Sequence, residues 1–150
     1  MENILKEISD KQDEINLLYT KLRRSMSLHK HKVELLNAQK LNRALANLNH
    51  ICEALDLEKS RICSKERSRD VLTIRQSLAY IYYIEYGLSL VSIGKIFNRD
   101  HATIINNIQR VKDAIWLYEK KGVDSSNAIS SLNTICELVG VNKIKIQAVS

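Results

Sequence analysis

The sequence predicts an all-α fold, and three observations carry that prediction. The 150 residues include no proline and only four glycines, so little in the chain interrupts a helix. Apolar residues recur at three- and four-residue spacing in every long segment. Alternation of polar and apolar residues, the mark of a strand, is confined to the final NKIKIQAVS, which reads as an extended strand or as disordered.

Residues 3 to 27 read as a first helix, in which Ile4, Ile8, Ile15, Leu18 and Leu22 lie near a 3.5-residue repeat that Lys11 interrupts. A second helix covers Lys32 to Leu57, where Leu41, Leu45, Leu48, Cys52 and Leu55 keep strict spacing. Ser25 to His31, between them, holds neither proline nor glycine, so a helical hairpin, a short coiled coil and one continuous helix all remain open. Residues 1–58 are expected to serve oligomerisation or docking, through a homodimer or a helical partner. His29 and His31 would point apart on a helix and no cysteine is near them, so this stretch reads as a solvated basic face and no metal is expected.

Cys63 to Asp70 is dense in charge and reads as a loop or frayed helix start. The helix after it runs from Val71 to about Tyr86 and stops at Gly87. Its Tyr80, Tyr82, Tyr83 and Tyr86 suit packing better than base stacking. Next come Leu90, Ile93 and Phe97 at i, i+3, i+7, then Asn98 and Arg99 break the pattern, and Asp100 stands where an N-cap is needed. Ile104, Ile105, Ile108 and Val111 continue on a new helix, so Ser89 to Val111 reads as a helix-turn-helix. That second helix is expected to run on to Lys121 with Trp116 packed back on the core, and to end at Gly122. Ser125 or Ser126 would cap a last helix to about Val139, closed by Gly140.

The formal charge of +6 is not evenly spread. Ten basic and four acidic residues lie between Lys59 and Lys112, so the helix-turn-helix segment carries the whole surplus. Such a local field suits a polyanion, because lysine and arginine that neutralise phosphates release condensed counterions. Cys52, Cys63 and Cys136 are too few and too unevenly spaced for a disulfide framework or a metal site, and are expected to be reduced thiols. No apolar run has signal-peptide or membrane-spanning length, so a cytoplasmic, nucleoid-associated protein is expected. Nothing suggests a catalytic triad or a two-metal carboxylate cluster, and no enzyme is expected.

SLVSIGKIF followed by RDHATIINNIQRV, with SKERSRDVLTIRQ upstream, resembles the C-terminal DNA-binding domain of the bacterial replication initiator DnaA. There a serine-leucine helix, IG and F precede RDHTT. The resemblance covers roughly Ser60 to Lys120. It implies a Trp-repressor-like, DnaA-type helix-turn-helix domain over 59–122, between an N-terminal helical region (1–58) and a C-terminal helix and tail (123–150). It also implies double-stranded DNA as the partner. Arg67 matches the basic-loop arginine that enters the minor groove, with Lys65 and Arg69 near the backbone. Arg75 and Gln76 match a pair near phosphate, and Leu90 matches a position that approaches the backbone through its main-chain N–H. Arg99, Asp100, His101, Ala102 and Thr103 match the set that sits in the major groove.

Departures accompany the matches. Ala102 replaces a threonine, Asn98 alone stands where two glycines are usual, and Glu66 stands where a basic residue is common. A good bidentate base contact is worth roughly 1 to 3 kcal/mol of discrimination, so a changed or looser sequence preference is expected. No GxxxxGK phosphate loop is present, so no nucleotide, cofactor or ATP hydrolysis is expected. The reading is an accessory factor or regulator of replication initiation or transcription. The alternative is a protein-interaction module that retains the fold without specific DNA binding.

Overall fold

The computed structural model describes residues 1–140, and the strand-like tail reading falls outside them. The described residues form six α-helices and one 3-10 turn joined by short connections, with no strand among them. The all-α expectation therefore holds. The order is α1 (Glu2–Ala54), α2 (Lys59–Ile62), α3 (Arg69–Ile84), α4 (Leu90–Phe97), α5 (His101–Lys121), the 3-10 turn Ser125–Asn127, and α6 (Ala128–Val139).

The hairpin is not formed, since α1 runs unbroken through Ser25 to His31. With no proline, glycine or capping side chain to stop it, the backbone ladder simply continues. Chain contacts nevertheless divide the molecule into two units, Met1–Gln39 and the residues from Lys40 onward. Every residue of the first unit is exposed. The second unit begins upstream of residue 59, because Ala44, Leu48, Ile51 and Cys52 on the last turns of α1 are buried in the core. Their spacing of four, three and one is one helical face. Asp56, in the left-handed conformation (φ 51°), turns the chain so that the Leu57 N–H donates to the Cys52 carbonyl at 2.9 Å.

Helix α3 lies at the centre of this unit and buries Val71, Leu78, Ala79, Ile81 and Tyr82. The Tyr82 ring lies between those of Tyr86 and Phe97, with centroids 5.6 and 6.0 Å away, and its hydroxyl donates to the Ala44 carbonyl at 3.1 Å. These tyrosines pack, as expected, and Arg43 stacks over the Tyr86 ring.

Helix α4 starts at Ser89, whose hydroxyl accepts from the Ser92 N–H at 3.1 Å, and ends at Asn98 in the left-handed conformation (φ 53°). The Arg99 N–H then donates to the Gly94 carbonyl at 2.8 Å. The chain passes so close that a Cβ on Gly94 would stand 2.5 Å from the Arg99 carbonyl oxygen. Only glycine fits there without moving backbone.

Helix α5 buries Ile104, Asn107, Ile108, Val111 and Ala114, and Gly122 closes it with φ 66°. Trp116 does not pack on the core and is 56 % exposed. Five residues beyond Val111, it lies about 140° round the helix from that buried position. The final helix also starts differently from the expectation. The 3-10 turn delays α6, and Asp124 caps it by accepting from the Ile129 N–H (2.8 Å), the Ser130 N–H (3.1 Å) and the Ser130 hydroxyl (2.7 Å). Ile129, Leu132, Ile135 and Cys136 bury its apolar face.

Candidate nucleic-acid interface

The loop between α2 and α3 is short of backbone partners, and Arg75 supplies them. From α3 its Nε donates to the Ile62 carbonyl at 2.7 Å, and its Nη2 donates to the carbonyls of Ser64 (3.0 Å) and Glu66 (3.2 Å). One planar guanidinium with five fixed donors can span such a loop. The side chain is only 2 % exposed, and burial, together with nearby Arg99, lowers its pKa from the usual arginine value. Arg99 donates from its own Nη2 to the same Ser64 carbonyl. Helix α3 and the turn before α5 thus grip the loop at one point.

A second set of bonds shapes the loop from outside. Arg61 meets Glu66 with two bonds, Nε to Oε2 at 3.1 Å and Nη2 to Oε1 at 2.7 Å, and the Ser68 hydroxyl donates to Glu66 Oε1 at 2.8 Å. Arg61 and then Ser68 hold the Glu66 carboxyl down to about 2. The Ser64 hydroxyl donates to the Arg61 carbonyl at 2.6 Å and accepts from the Glu66 N–H at 3.1 Å. The Cys63 thiol donates to the Ile96 carbonyl at 3.2 Å, which ties the loop to α4, and burial pushes its pKa up. Lys65 and Arg67 remain exposed on the outside of the loop so formed, and Arg69 is exposed at the first turn of α3.

At the start of α5, Asp100 caps as expected, accepting from the Thr103 N–H at 2.8 Å. The Thr103 hydroxyl and N–H together hold its carboxyl below the ordinary value. Thr103 is half-buried beside it, whereas His101 and Ala102 are exposed.

Between loop and helix runs an open groove of about 970 Å³. It brings together Lys65, Arg67, Arg75, Gln76, Arg99 and Thr103 from the sequence expectations, and adds Asn106, Asn107, Gln109, Arg110 and Asp113. Five cations and one carboxylate line it. Asp100 and His101 border a smaller depression with Val91, Gly94, Lys95, Asn98 and Arg99. Arg69, Leu90 and Ala102 line neither; Leu90 is half-buried at the first turn of α4. The added residues carried a legible signal, since Asn106, Gln109, Arg110 and Asp113 form a polar stripe at i, i+3, i+4, i+7 on α5. Gln109 donates to Asp113 at 2.9 Å along it. Asn107 is 5 % exposed and its Nδ2 has no hydrogen-bond partner.

Among the described residues no group of histidine, cysteine and carboxylate side chains could hold a metal ion. None of the described helices is long and apolar enough to cross a membrane.

Residues 48–111, from the buried end of α1 through half of α5, match the family described as bacterial dnaA protein helix-turn-helix. Chromosomal replication initiator proteins DnaA are similar over the same part of the chain. That of Bacteroides fragilis is 39 % identical over 66 residues, which cover 43 % of this chain and 14 % of that protein. That of Oleidesulfovibrio alaskensis is 33 % identical over 67 residues, 45 % of this chain and 14 % of that protein. That of Pseudothermotoga lettingae is 32 % identical over 66 residues, 44 % of this chain and 15 % of that protein. The chain therefore spans only a small part of the length of these relatives. No solved structure matches it.

Proposed function

We propose that residues 48–111 act as the DnaA-type helix-turn-helix they match, and that the chain binds duplex DNA with a sequence preference across the groove face of α3, α5 and the basic loop. The observation that carries this reading is the five-cation groove between an exposed loop and the polar stripe of α5. A loop in the minor groove and a helix in the adjacent major groove are separated by one phosphodiester strand, and a cationic trough between them is where that strand would lie.

Each residue then has a part. Arg67 enters the minor groove, whose A·T-rich stretches are narrow and electronegative. Lys65, Arg69, Gln76 and Arg110 contact phosphate, joined by the main chain at Leu90. His101 and Ala102 meet bases, by contact with thymine methyl groups, and Asp100 offers a cytosine amino group whatever acceptor capacity its cap leaves. Thr103 and Arg99 complete the major-groove set, with Arg99 spending one of its donors on Ser64. Arg75 takes a different part from the phosphate contact implied by the resemblance: buried against backbone carbonyls on both sides of Cys63, it holds the loop that carries Lys65 and Arg67.

The similarity to replication initiators supports a role as an accessory factor or regulator of replication initiation, or of transcription from related sites. A homodimer through the exposed part of α1, no bound nucleotide, no catalytic activity and a DNA-associated, cytoplasmic location complete the proposal. The test is fluorescence anisotropy on a duplex carrying a DnaA box and on a scrambled duplex, at several salt concentrations. Tight, box-selective binding supports the full reading. Equal and steeply salt-dependent binding to both removes the sequence preference, and absence of binding overturns the DNA-binding reading.

A further inference from the structure

The helix over residues 2–39 has an apolar side with nothing against it. Ile4, Leu5, Ile8, Ile15, Leu18 and Leu22 are each more than half exposed. Most of a helix's stability in a folded protein comes from burying such a face, so this one lacks its cover. Two further features specify the cover. Lys11 sits in the seam between Ile8 and Ile15, already 3.6 Å from Glu14 of its own helix. Charge is also divided along the seam, with a net −3 over residues 2–14 and +3 over residues 15–24.

We propose that a second copy of this chain seats on this face with its helix antiparallel, the acidic turns of each along the basic turns of the other. This rests on the dimer reading above and adds its orientation. In the register that faces a positions with d positions, Ile8 packs on Leu18 of the second copy, Leu22 on Ile4, and Ile15 on Lys11. Glu7 then flanks Lys21 of the second copy, on both sides of the symmetric pair, and the Lys11 ammonium reaches the Glu14 carboxylates beside it. A parallel pair would set Lys11 against Lys11 in the apolar seam and align −3 with −3. Burying like charges face to face is the costlier arrangement. The seam stops where Ser25, His29 and Lys32 take its positions, so the overlap over residues 4–22 is about 27 Å long.

Sedimentation equilibrium of the full chain tests this with Glu7→Lys, Lys21→Glu and the double exchange, at low and high salt. Circular dichroism of the same samples confirms equal helix content. The parent is expected to be a dimer that salt weakens. Each single exchange turns two attractive pairs repulsive and should raise the dissociation constant about tenfold. The double exchange reverses both partners and should return to within about twofold of the parent. A parent that stays monomeric at every concentration overturns the dimer reading and the orientation with it. A dimer indifferent to Glu7→Lys, or one in which the double exchange is as weak as the single ones, overturns the antiparallel orientation alone.

Discussion

Replacing Arg75 separates a loop-holding residue from a phosphate-contacting one. Methionine at 75 keeps much of the side chain's length and removes its donors, leaving the carbonyls of Ile62 and Glu66 without this partner and that of Ser64 to Arg99 alone. Hydrogen bonds from a charged donor contribute roughly 1.5 to 3 kcal/mol each, but the three share one guanidinium and the surface carbonyls can take up water. Recovery of the buried guanidinium's desolvation offsets the loss further. A net destabilisation of about 2 to 3 kcal/mol is expected, which at a typical urea slope moves the unfolding midpoint down by about 1 M or more. Arg75→Lys makes the prediction sharp, because an ammonium keeps the charge but cannot span three carbonyls. On the holding role the lysine variant should be nearly as unstable as the methionine one, with faster amide exchange confined to residues 63–68. On a phosphate contact, lysine would preserve affinity, and methionine would lower the slope of log affinity against log salt by about one with the midpoint unchanged. That second pattern would refute the assignment.

Arg67→Ala should weaken DNA binding and flatten any A·T preference, and equal affinity of variant and parent in anisotropy would remove Arg67 from the minor groove. His101→Ala should mainly reduce discrimination between duplexes, whereas Lys65→Ala should lower affinity uniformly and reduce the salt slope by about one. Gly94→Ala places a methyl 2.5 Å from the Arg99 carbonyl oxygen; the overpacking should cost about 1 to 3 kcal/mol in urea unfolding, and a midpoint at the parent's value would show that the turn yields freely. Glu66 is held down to about 2 from an ordinary 4.5. Its contribution is therefore complete above that ordinary value and is lost as pH falls towards the lower one. Amide resonances of Glu66 and Ser68 should shift towards a disordered loop across that window, and signals unchanged throughout would show that the Arg61–Glu66 pair does not order it.

What could be read from the sequence divides by range. Asp100 capping α5, Gly122 and Gly140 ending helices, and the two apolar faces of α4 and α5 are local devices, each decided within a few residues, and all are in the structure. The unbroken α1 is not decided by its sequence, because nothing local forces or forbids a break over Ser25 to His31. The fate of Arg75 was not legible, since its acceptors lie nine to fourteen residues upstream and only the fold brings them to it. Trp116 misled for the opposite reason: its hydrophobicity argued for the core, while its angle round the helix places it outside. Of the interface, the charged loop and the first turn of α5 were visible as motifs. The polar stripe from Asn106 to Asp113 was visible only as periodicity, and acquired meaning when the groove showed what lay opposite it.

The Ser64 carbonyl, gripped by Arg75 from α3 and Arg99 from the turn that leads into α5, has a mechanical consequence. It makes the loop and the helix start two jaws of a single caliper whose opening is set before any DNA arrives. If the proposed reading holds, little freedom is lost when both jaws close on a duplex, and the span between them becomes a gauge. A duplex whose backbone is too wide or too narrow at that point fails to seat even if every base is correct. On the proposed reading, part of the discrimination therefore rests in a single oxygen atom that touches no nucleotide.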